Sequence, residues 1–342
     1  MRIEEFDYHL PLSLIAQYPS SRRGETSLMI LHRQTGVVEH QAFQDITKHL
    51  NPGDLLVMNN TRVLPARLIG KKETGGRIEM LLIPSWIGAK GEWEALIKGS
   101  RRVKRGARVR FEPGLQGEIE EVKDGKGKVS FSYQGEVTEI LRKIGHIPLP
   151  PYIKRGDEPL DRERYQTIFA ERDGSIAAPT AGLHFTHGLL RSFKENGVRT
   201  AMITLHIGIG TFSPVKSRDV EGHTMEAEWV EISEETAGEI RAAKARGRRV
   251  ISVGTTTTRA LESFSDGNGG VRSGEGMTSL FIYPSYRFRV IDGLVTNFHL
   301  PKSTLIVLAS AFAGKDLLMK AYQEAVHRKY QFYSYGDSML IL

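Results

Sequence analysis

Three histidines stand in stretches with little or no charge. His184 lies in Gly174-Ser175-Ile176-Ala177-Ala178-Pro179-Thr180-Ala181-Gly182-Leu183-His184-Phe185-Thr186, His206 heads His206-Ile207-Gly208-Ile209-Gly210-Thr211-Phe212, and His299 lies in Thr296-Asn297-Phe298-His299-Leu300-Pro301-Lys302-Ser303-Thr304. Imidazole titrates near neutral pH and can serve as base or acid. The thirteen residues from Gly174 to Thr186 hold no Asp, Glu, Lys or Arg in a chain that is 25% charged. Gly174, Pro179 and Gly182 interrupt helical and strand periodicity, and Ala177, Ala178 and Ala181 leave room for close approach. A buried irregular backbone must satisfy its amides. A ligand that accepts hydrogen bonds would do so, with Thr180 and His184 as polar handles. The competing reading is a tightly packed connecting loop.

Other blocks have narrower chemistry. Val253-Gly254-Thr255-Thr256-Thr257-Thr258-Arg259 follows an apolar run and enters a helical pattern. Free amides at a helix start, with threonine hydroxyls beside them, suit a carboxylate or phosphate; a threonine cap with nothing bound is the alternative. Gly208 and Gly210 allow close backbone approach, but the third glycine of a dinucleotide fingerprint is missing. Pro301 is placed to open a helix, with Lys302 and Ser303 in its first turn. A cation there opposes the helix dipole, which suggests an anionic partner; a solvated lysine is the commoner alternative. His223, Glu226 and Glu228 match no metal-ligand spacing, and no metal is expected. Arg101, Arg102, Lys104, Arg105, Arg108 and Arg110 are six basic residues in ten, a candidate hold on a phosphate backbone.

The elements that must position these groups are legible in outline. A length of 342 residues suggests about two domains. Ser27–Leu31 and Val37-Val38 flank a turn at Gln34-Thr35-Gly36. Phe43, Ile46 and Leu50 recur at helical spacing, and Leu55–Met58 is a buried strand running into Asn59-Asn60. From Leu68 to Leu149 short alternating runs sit between glycine turns, as in a small antiparallel barrel. Ile147–Tyr152 reads as an extended linker. Beyond it strands (199–206, 249–253) alternate with helices (234–245, 301–312, 315–329). Gly267–Gly276 reads as a mobile loop. The expected plan is an α/β domain, discontinuous in sequence (residues 1–67 and 150–342), interrupted by a small antiparallel β-barrel (residues 68–149). The chain has 47 basic and 40 acidic residues, a net charge of +7. The insert, with 16 basic and 11 acidic residues between Leu68 and Pro150, carries five of that excess. An acidic partner such as nucleic acid fits this balance. A second basic cluster (Arg241, Lys244, Arg246, Arg248, Arg249) is better read as complementing a helix C-terminus.

With Tyr165-Gln166-Thr167, Asn59-Asn60-Thr61-Arg62-Val63 and Tyr335-Gly336-Asp337-Ser338-Met339 added, the blocks together resemble the S-adenosylmethionine:tRNA ribosyltransferase-isomerase family of queuosine biosynthesis. The resemblance runs from Asp7-Tyr8-His9-Leu10-Pro11 to the last residues. It implies the same barrel-interrupted architecture. It also implies transfer of the ribosyl part of S-adenosylmethionine to 7-aminomethyl-7-deazaguanine at the tRNA wobble position, giving epoxyqueuosine and releasing adenine and methionine. A sulfonium acidifies the neighbouring 5′ carbon, so a modest base can take a proton there; loss of adenine needs a proton donor.

On this resemblance His184 or His206 sits near the chemistry, with base and acid unassigned. Asp337 is a candidate for holding the acceptor amine or the methionine ammonium. Phe185, Phe212 or Tyr335 is a candidate for facing the sulfonium, and Arg62 and Arg67 for holding a phosphate or carboxylate. Substrate contacts are expected from Asn60, Gln166, Thr167, Pro179, Thr180, Gly182, Gly208, Gly210, Thr211, Gly254, Thr255, Thr256, Asn297, His299 and Lys302, and tRNA contacts from Arg101, Arg102, Lys104 and Arg105. The chain departs from the family in the His223–Glu228 block, where a second histidine is replaced by Glu226 or Ala227, so that block is given no role.

The absence of cysteine excludes disulfides, thiolate zinc sites and iron–sulfur clusters, so chemistry on a sulfonium must be polar and two-electron. No permanently bound cofactor is expected, only S-adenosylmethionine as co-substrate. The N-terminus lacks an apolar signal core, and the longest apolar run, Leu305–Ala313, is far shorter than the ~20 residues a span needs. A cytoplasmic protein, away from membranes and monomeric by default, is expected. Two other readings compete: a non-catalytic RNA-binding protein with a basic barrel, and a nucleotide-dependent oxidoreductase, against which the incomplete glycine fingerprint counts.

Overall fold

The computed structural model describes residues 1–83, 92–99, 103–112, 114–133, 135–212, 215 and 217–342. In chain order the first elements are β1 (Ser27–Leu31), β2 (Val38–Ala42), β3 (Leu55–Asn59) and β4 (Thr61–Val63). Six strands follow: β5 (Arg67–Lys72), β6 (Arg77–Ile83), β7 (Glu92–Lys98), β8 (Arg108–Phe111), β9 (Leu115–Lys123) and β10 (Lys126–Ser132). Next come α1 (Val137–Ile144), α2 (Pro159–Arg164), β11 (Arg172–Ser175), α3 (His187–Glu195), β12 (Arg199–Leu205), β13 (Glu228–Ile232), α4 (Glu234–Ala245), β14 (Val250–Val253) and α5 (Thr255–Ser263). The chain closes with β15 (Gly274–Thr278), β16 (Gly293–Asn297), α6 (Thr304–Ala313), α7 (Lys315–His327) and β17 (Ser338–Ile341).

Strands β5 to β10 close into an antiparallel barrel in the order β10-β7-β6-β5-β8-β9. Their alternating burial sends Leu68, Met80, Leu82, Ile97, Val109, Ile119 and Val129 inward to one apolar core. The rest of the chain builds a nine-stranded sheet ordered β15-β13-β12-β3-β14-β16-β17-β1-β2, so the molecule is an α/β unit interrupted by a β-barrel. Strands β12, β3, β14 and β16 run parallel to one another in that order, and β13 pairs antiparallel with β12. β17 pairs antiparallel with β16 and parallel with β1. All five residues of β3 are buried, as a central strand covered on both faces requires. Leu55 and Val57 join the core beneath α4 to α7, and Leu56 and Met58 join the opposite one with Phe43, Phe185 and Phe193.

Local chemistry explains where the structure departs from the sequence reading. Phe43–His49 is a 3₁₀ helix, cut short by Asn51-Pro52-Gly53 with no side-chain cap at its start. The helix expected from Pro301 begins at Thr304, because the Ser303 hydroxyl accepts from the Ile306 amide and so makes Ser303 the cap. Gly174-Ser175 belongs to β11, paired with β4, and Thr180–His184 forms a 3₁₀ turn. The Gly267–Gly276 stretch is organised: the Asp266 carboxylate accepts from the Asn268 and Gly270 amides, and β15 joins the sheet beside β13. In the second basic cluster Arg241, Lys244 and Arg249 pair with Glu234, Asp292 and Asp54. No helix among the described residues is long and apolar enough to cross a membrane.

Candidate functional site

The direction of the strands gathers the dispersed blocks. Asn59-Asn60-Thr61 leaves the carboxyl end of β3, His206–Gly210 that of β12, Gly254–Thr256 that of β14 and Asn297–His299 that of β16. Since β17 is antiparallel to β16, its start brings Tyr335–Asp337 to the same edge; Asn297 lies opposite Ser338. The Gly174–Thr186 segment crosses above. In an open α/β sheet this edge is where ligands bind.

A small hollow of about 60 Å³ lies there, lined by Ala177–Ala181, Ile207, Gly254–Thr256, Thr296–His299, Leu305, Tyr152, Tyr333 and Ser334. Three of its lining residues carry a buried polar atom with no partner among the described residues: Thr256 Oγ1, Asn297 Oδ1 and Tyr333 OH. Buried polar atoms are nearly always paired, so three unpaired ones on residues around one hollow are capacity a ligand could use once they are uncovered. The backbone of Tyr333 sits at φ +76°, a left-handed conformation that costs a bulky residue of order 1–3 kcal/mol. Its ring lies 4.1 Å from that of Tyr152, whose hydroxyl bonds to Ser334. Gly254, at φ +95°, turns the chain from β14 into α5, and a Cβ there would lie 3.7 Å from Ala181 Cβ.

His184 stands behind this wall. The Asn297 amide donates to His184 Nε2 at 3.1 Å and to the Tyr333 carbonyl at 3.0 Å. Nε2 is therefore the acceptor nitrogen, and Nδ1–H donates to Thr26 Oγ1 at 2.9 Å. His299 lines the hollow, with Nε2 2.7 Å from Thr296 Oγ1. His206 does not line the hollow. Its ring stacks on Trp229 with centroids 5.0 Å apart, and Nδ1 is 2.8 Å from Thr61 Oγ1, which in turn donates to Ser175. Burial pushes His184 and His206 down to about 4 and His299 to about 3, so all three are neutral at pH 7.

The remaining candidates divide. Pro179, Thr180, Thr255 and Thr256 border the hollow. Both oxygens of Asp337 accept backbone amides, of Ser27 and Gln331, while burial raises its pKa. Tyr335 donates to Asp161, and Phe185 packs among Phe43, Phe169 and Phe193. Gln166 clamps the backbone of Val63, Arg62 donates to the Ala170 carbonyl, and Asn60 bonds Glu171 and Thr204. Arg67 pairs with Glu79, and Lys302, outside the helix, finds its anion in Asp7. Thr167 Oγ1 is buried without a partner. Gly182 leaves space for Phe169 and Thr167, and Gly210 for Glu226. The Gly208 amide donates to Glu228, which pairs with Arg259 in a buried bridge. Lys104 and Arg105 are exposed in a barrel turn. Arg101 and Arg102 lie outside the described residues, as do the side chains of Thr211 and Phe212.

Sequence reading missed Tyr152, Tyr333 and the Arg259–Glu228 bridge. Arg259 stood at the end of the threonine block, and an arginine after four threonines was the available signal. Nothing in the sequence marks the backbone angle of Tyr333. His223, Glu226 and Glu228 separate, to Phe281, Lys126 and Arg259. Among the described residues, His32, Glu39 and His49 do gather, with ligand-type atoms within 4.8 Å of one another, beyond the far end of β1 from the hollow.

Comparison with known proteins gives a consistent outcome. Residues 3–341 match the family described as Queuosine biosynthesis protein. The chain is 51% identical to the S-adenosylmethionine:tRNA ribosyltransferase-isomerase of Halothermothrix orenii over 345 residues, covering 100% of both. It is 51% identical to that of Carboxydothermus hydrogenoformans over 343 residues, again with full coverage. The crystal structure of S-adenosylmethionine tRNA ribosyltransferase from Thermotoga maritima is 37% identical, covers 99% of this chain and 100% of its own, and superposes with a TM-score of 0.57.

Proposed function

The chain belongs to the queuosine biosynthesis protein family, and on that footing we propose that it is an S-adenosylmethionine:tRNA ribosyltransferase-isomerase. It transfers and isomerises the ribosyl moiety of S-adenosylmethionine onto 7-aminomethyl-7-deazaguanine at the wobble position of tRNA, and adenine and methionine leave. The observation that carries this reading is the meeting of the glycine-, threonine- and histidine-bearing blocks at one sheet edge, around a hollow with three unpaired polar atoms.

The hollow's chemistry supports it. His299 in the hollow and His184 behind its wall are uncharged at neutral pH, so they do not repel a sulfonium, and a neutral imidazole is in the form that accepts a proton. His184 fixes Asn297 through Nε2, leaving Asn297 Oδ1 to accept from an amino or ammonium group of the ligand. The faces of Tyr152 and Tyr333 suit a cation or a purine, worth about 0.5–2 kcal/mol. The reaction as written needs no metal, and we place the enzyme in the cytoplasm as a monomer. Incubation with S-adenosylmethionine and tRNA bearing the precursor base tests the reading: free adenine is expected only when both are present. Binding of both substrates with no adenine released would reduce the chain to a non-catalytic binder.

A further inference from the structure

A second, larger cavity lies between the barrel and the α/β unit. Its volume is about 640 Å³, within the range of small-molecule sites. Leu81 and Leu96 of the barrel, Pro148–Pro151 and Ile153 of the connecting segment, and Ile176 and Ile209 of the α/β unit give it an apolar floor. Around them stand five cations, Arg67, Lys98, Lys126, Lys154 and Arg155, against two carboxylates, Glu79 and Glu226.

The cations differ in freedom. Arg155 is committed to Asp161 through two bonds, and Arg67 to Glu79. Lys98 and Lys126 are 79% and 62% exposed, in ion pairs with Glu79 and Glu226, and the exposed Lys154 ammonium donates to the Pro151 carbonyl. The exposed Lys126–Glu226 pair is worth ~0–1 kcal/mol, and Glu79 keeps Arg67 when Lys98 leaves, so exchanging a carboxylate for a phosphate costs little.

The cleft also abuts the hollow. Ile176 faces the cleft and Ala177 the hollow; Ile209 and Ile207 divide the same way, as do Ile153 and Tyr152. Three short chain segments thus line both the apolar, cation-rimmed cleft and the site of the chemistry.

We propose that this cleft seats the acceptor nucleotide of the tRNA, its base on the apolar floor and its flanking phosphates on Lys98, Lys126 and Lys154. The inference rests on the function proposed above. An unstacked base needs an apolar surface, its backbone needs cations, and its reactive amine must reach the neighbouring hollow. The basic residues Arg101, Arg102, Lys104 and Arg105 then become an outlying contact rather than the seat.

The test is binding of a fluorescent anticodon stem-loop to the full-length protein across a salt series, for wild type, for Lys98→Gln/Lys126→Gln/Lys154→Gln, and for a control, Lys320→Gln/Lys329→Gln, on the exposed surface around α7. Each lost phosphate contact reduces the salt slope by roughly 0.7–0.9. The cleft variant is expected to bind at least tenfold more weakly with a slope lower by about 2–3. The control should match wild type, and all three should bind S-adenosylmethionine equally. Wild-type affinity and slope in the cleft variant would overturn the proposal, as would an equal loss in the control. Because the readout is binding, it stands apart from the function itself, which fails only if wild type releases no adenine.

Discussion

His184, His206 and His299 are buried in the uncharged form, and that has a pH signature. Their pKa values, about 4, 4 and 3, lie below the ~6.5 of an unfolded histidine. As pH falls below about 6.5 the unfolded chain takes up protons that the folded chain refuses, so stability is complete above that value and declines toward about pH 4. His184→Gln is therefore expected to flatten the dependence of urea unfolding on pH between about 6.5 and 4, the slope falling by up to ~1.4 kcal/mol per pH unit. An unchanged slope would mean that His184 titrates normally. Tyr333 makes an opposite bargain between stability and binding. Its buried hydroxyl lacks a partner, a state that costs about 1–3 kcal/mol. Tyr333→Phe should unfold at a higher temperature while binding S-adenosylmethionine more weakly, both measurable on one preparation. A variant less stable than wild type would show that the hydroxyl is already satisfied.

Two element-scale contacts hold the edge in shape. A Cβ on Gly182 would lie 2.8 Å from Phe169 and from Thr167. Gly182→Ala should then cost about 1–3 kcal/mol by overpacking, read as a lowered melting temperature. Arg259 of α5 and Glu228 of β13 form a buried bridge. Removing the guanidinium takes a buried cation from Glu228, so Arg259→Met should be destabilising by up to about 3–5 kcal/mol, read as a lowered melting temperature. Much at this scale was legible beforehand. The unbroken apolar run of Leu55–Met58 marks a strand covered on both faces, and alternation in 77–82, 108–111 and 128–131 marks barrel walls with one wet side. The glycine and threonine blocks were legible as strand ends, because parallel strands deliver their exits to one edge. What stayed hidden depends on partners distant in sequence. Whether Ser303 or Pro301 starts a helix turns on one side-chain bond. His206 and His184 look alike in sequence, yet β12 carries one against Trp229 and the 3₁₀ turn carries the other to Asn297.

At the scale of the whole molecule the two cavities are mismatched, about 60 Å³ against about 640 Å³. The smaller lies far below the ~300–1,000 Å³ of typical small-molecule sites, so the tyrosine pair is expected to shift as S-adenosylmethionine is seated. The strained backbone of Tyr333 lowers the energy needed, because leaving φ +76° releases strain rather than creating it. Binding gated this way depends on a prior opening step, and its observed rate should level off as ligand concentration rises. Stopped-flow fluorescence, with Trp229 beside His206 as reporter, is expected to show a hyperbolic rather than linear rise. Tyr333→Gly, which adopts the same φ without strain, removes the stored strain and the Tyr152 stack together. If strain drives opening the plateau rate falls; if the stack is the lock it rises. A wild-type rate that stays linear in ligand concentration, with an ordinary association constant of about 10⁵–10⁷ M⁻¹s⁻¹, would show that the hollow stands open in solution, and the gating argument would be lost.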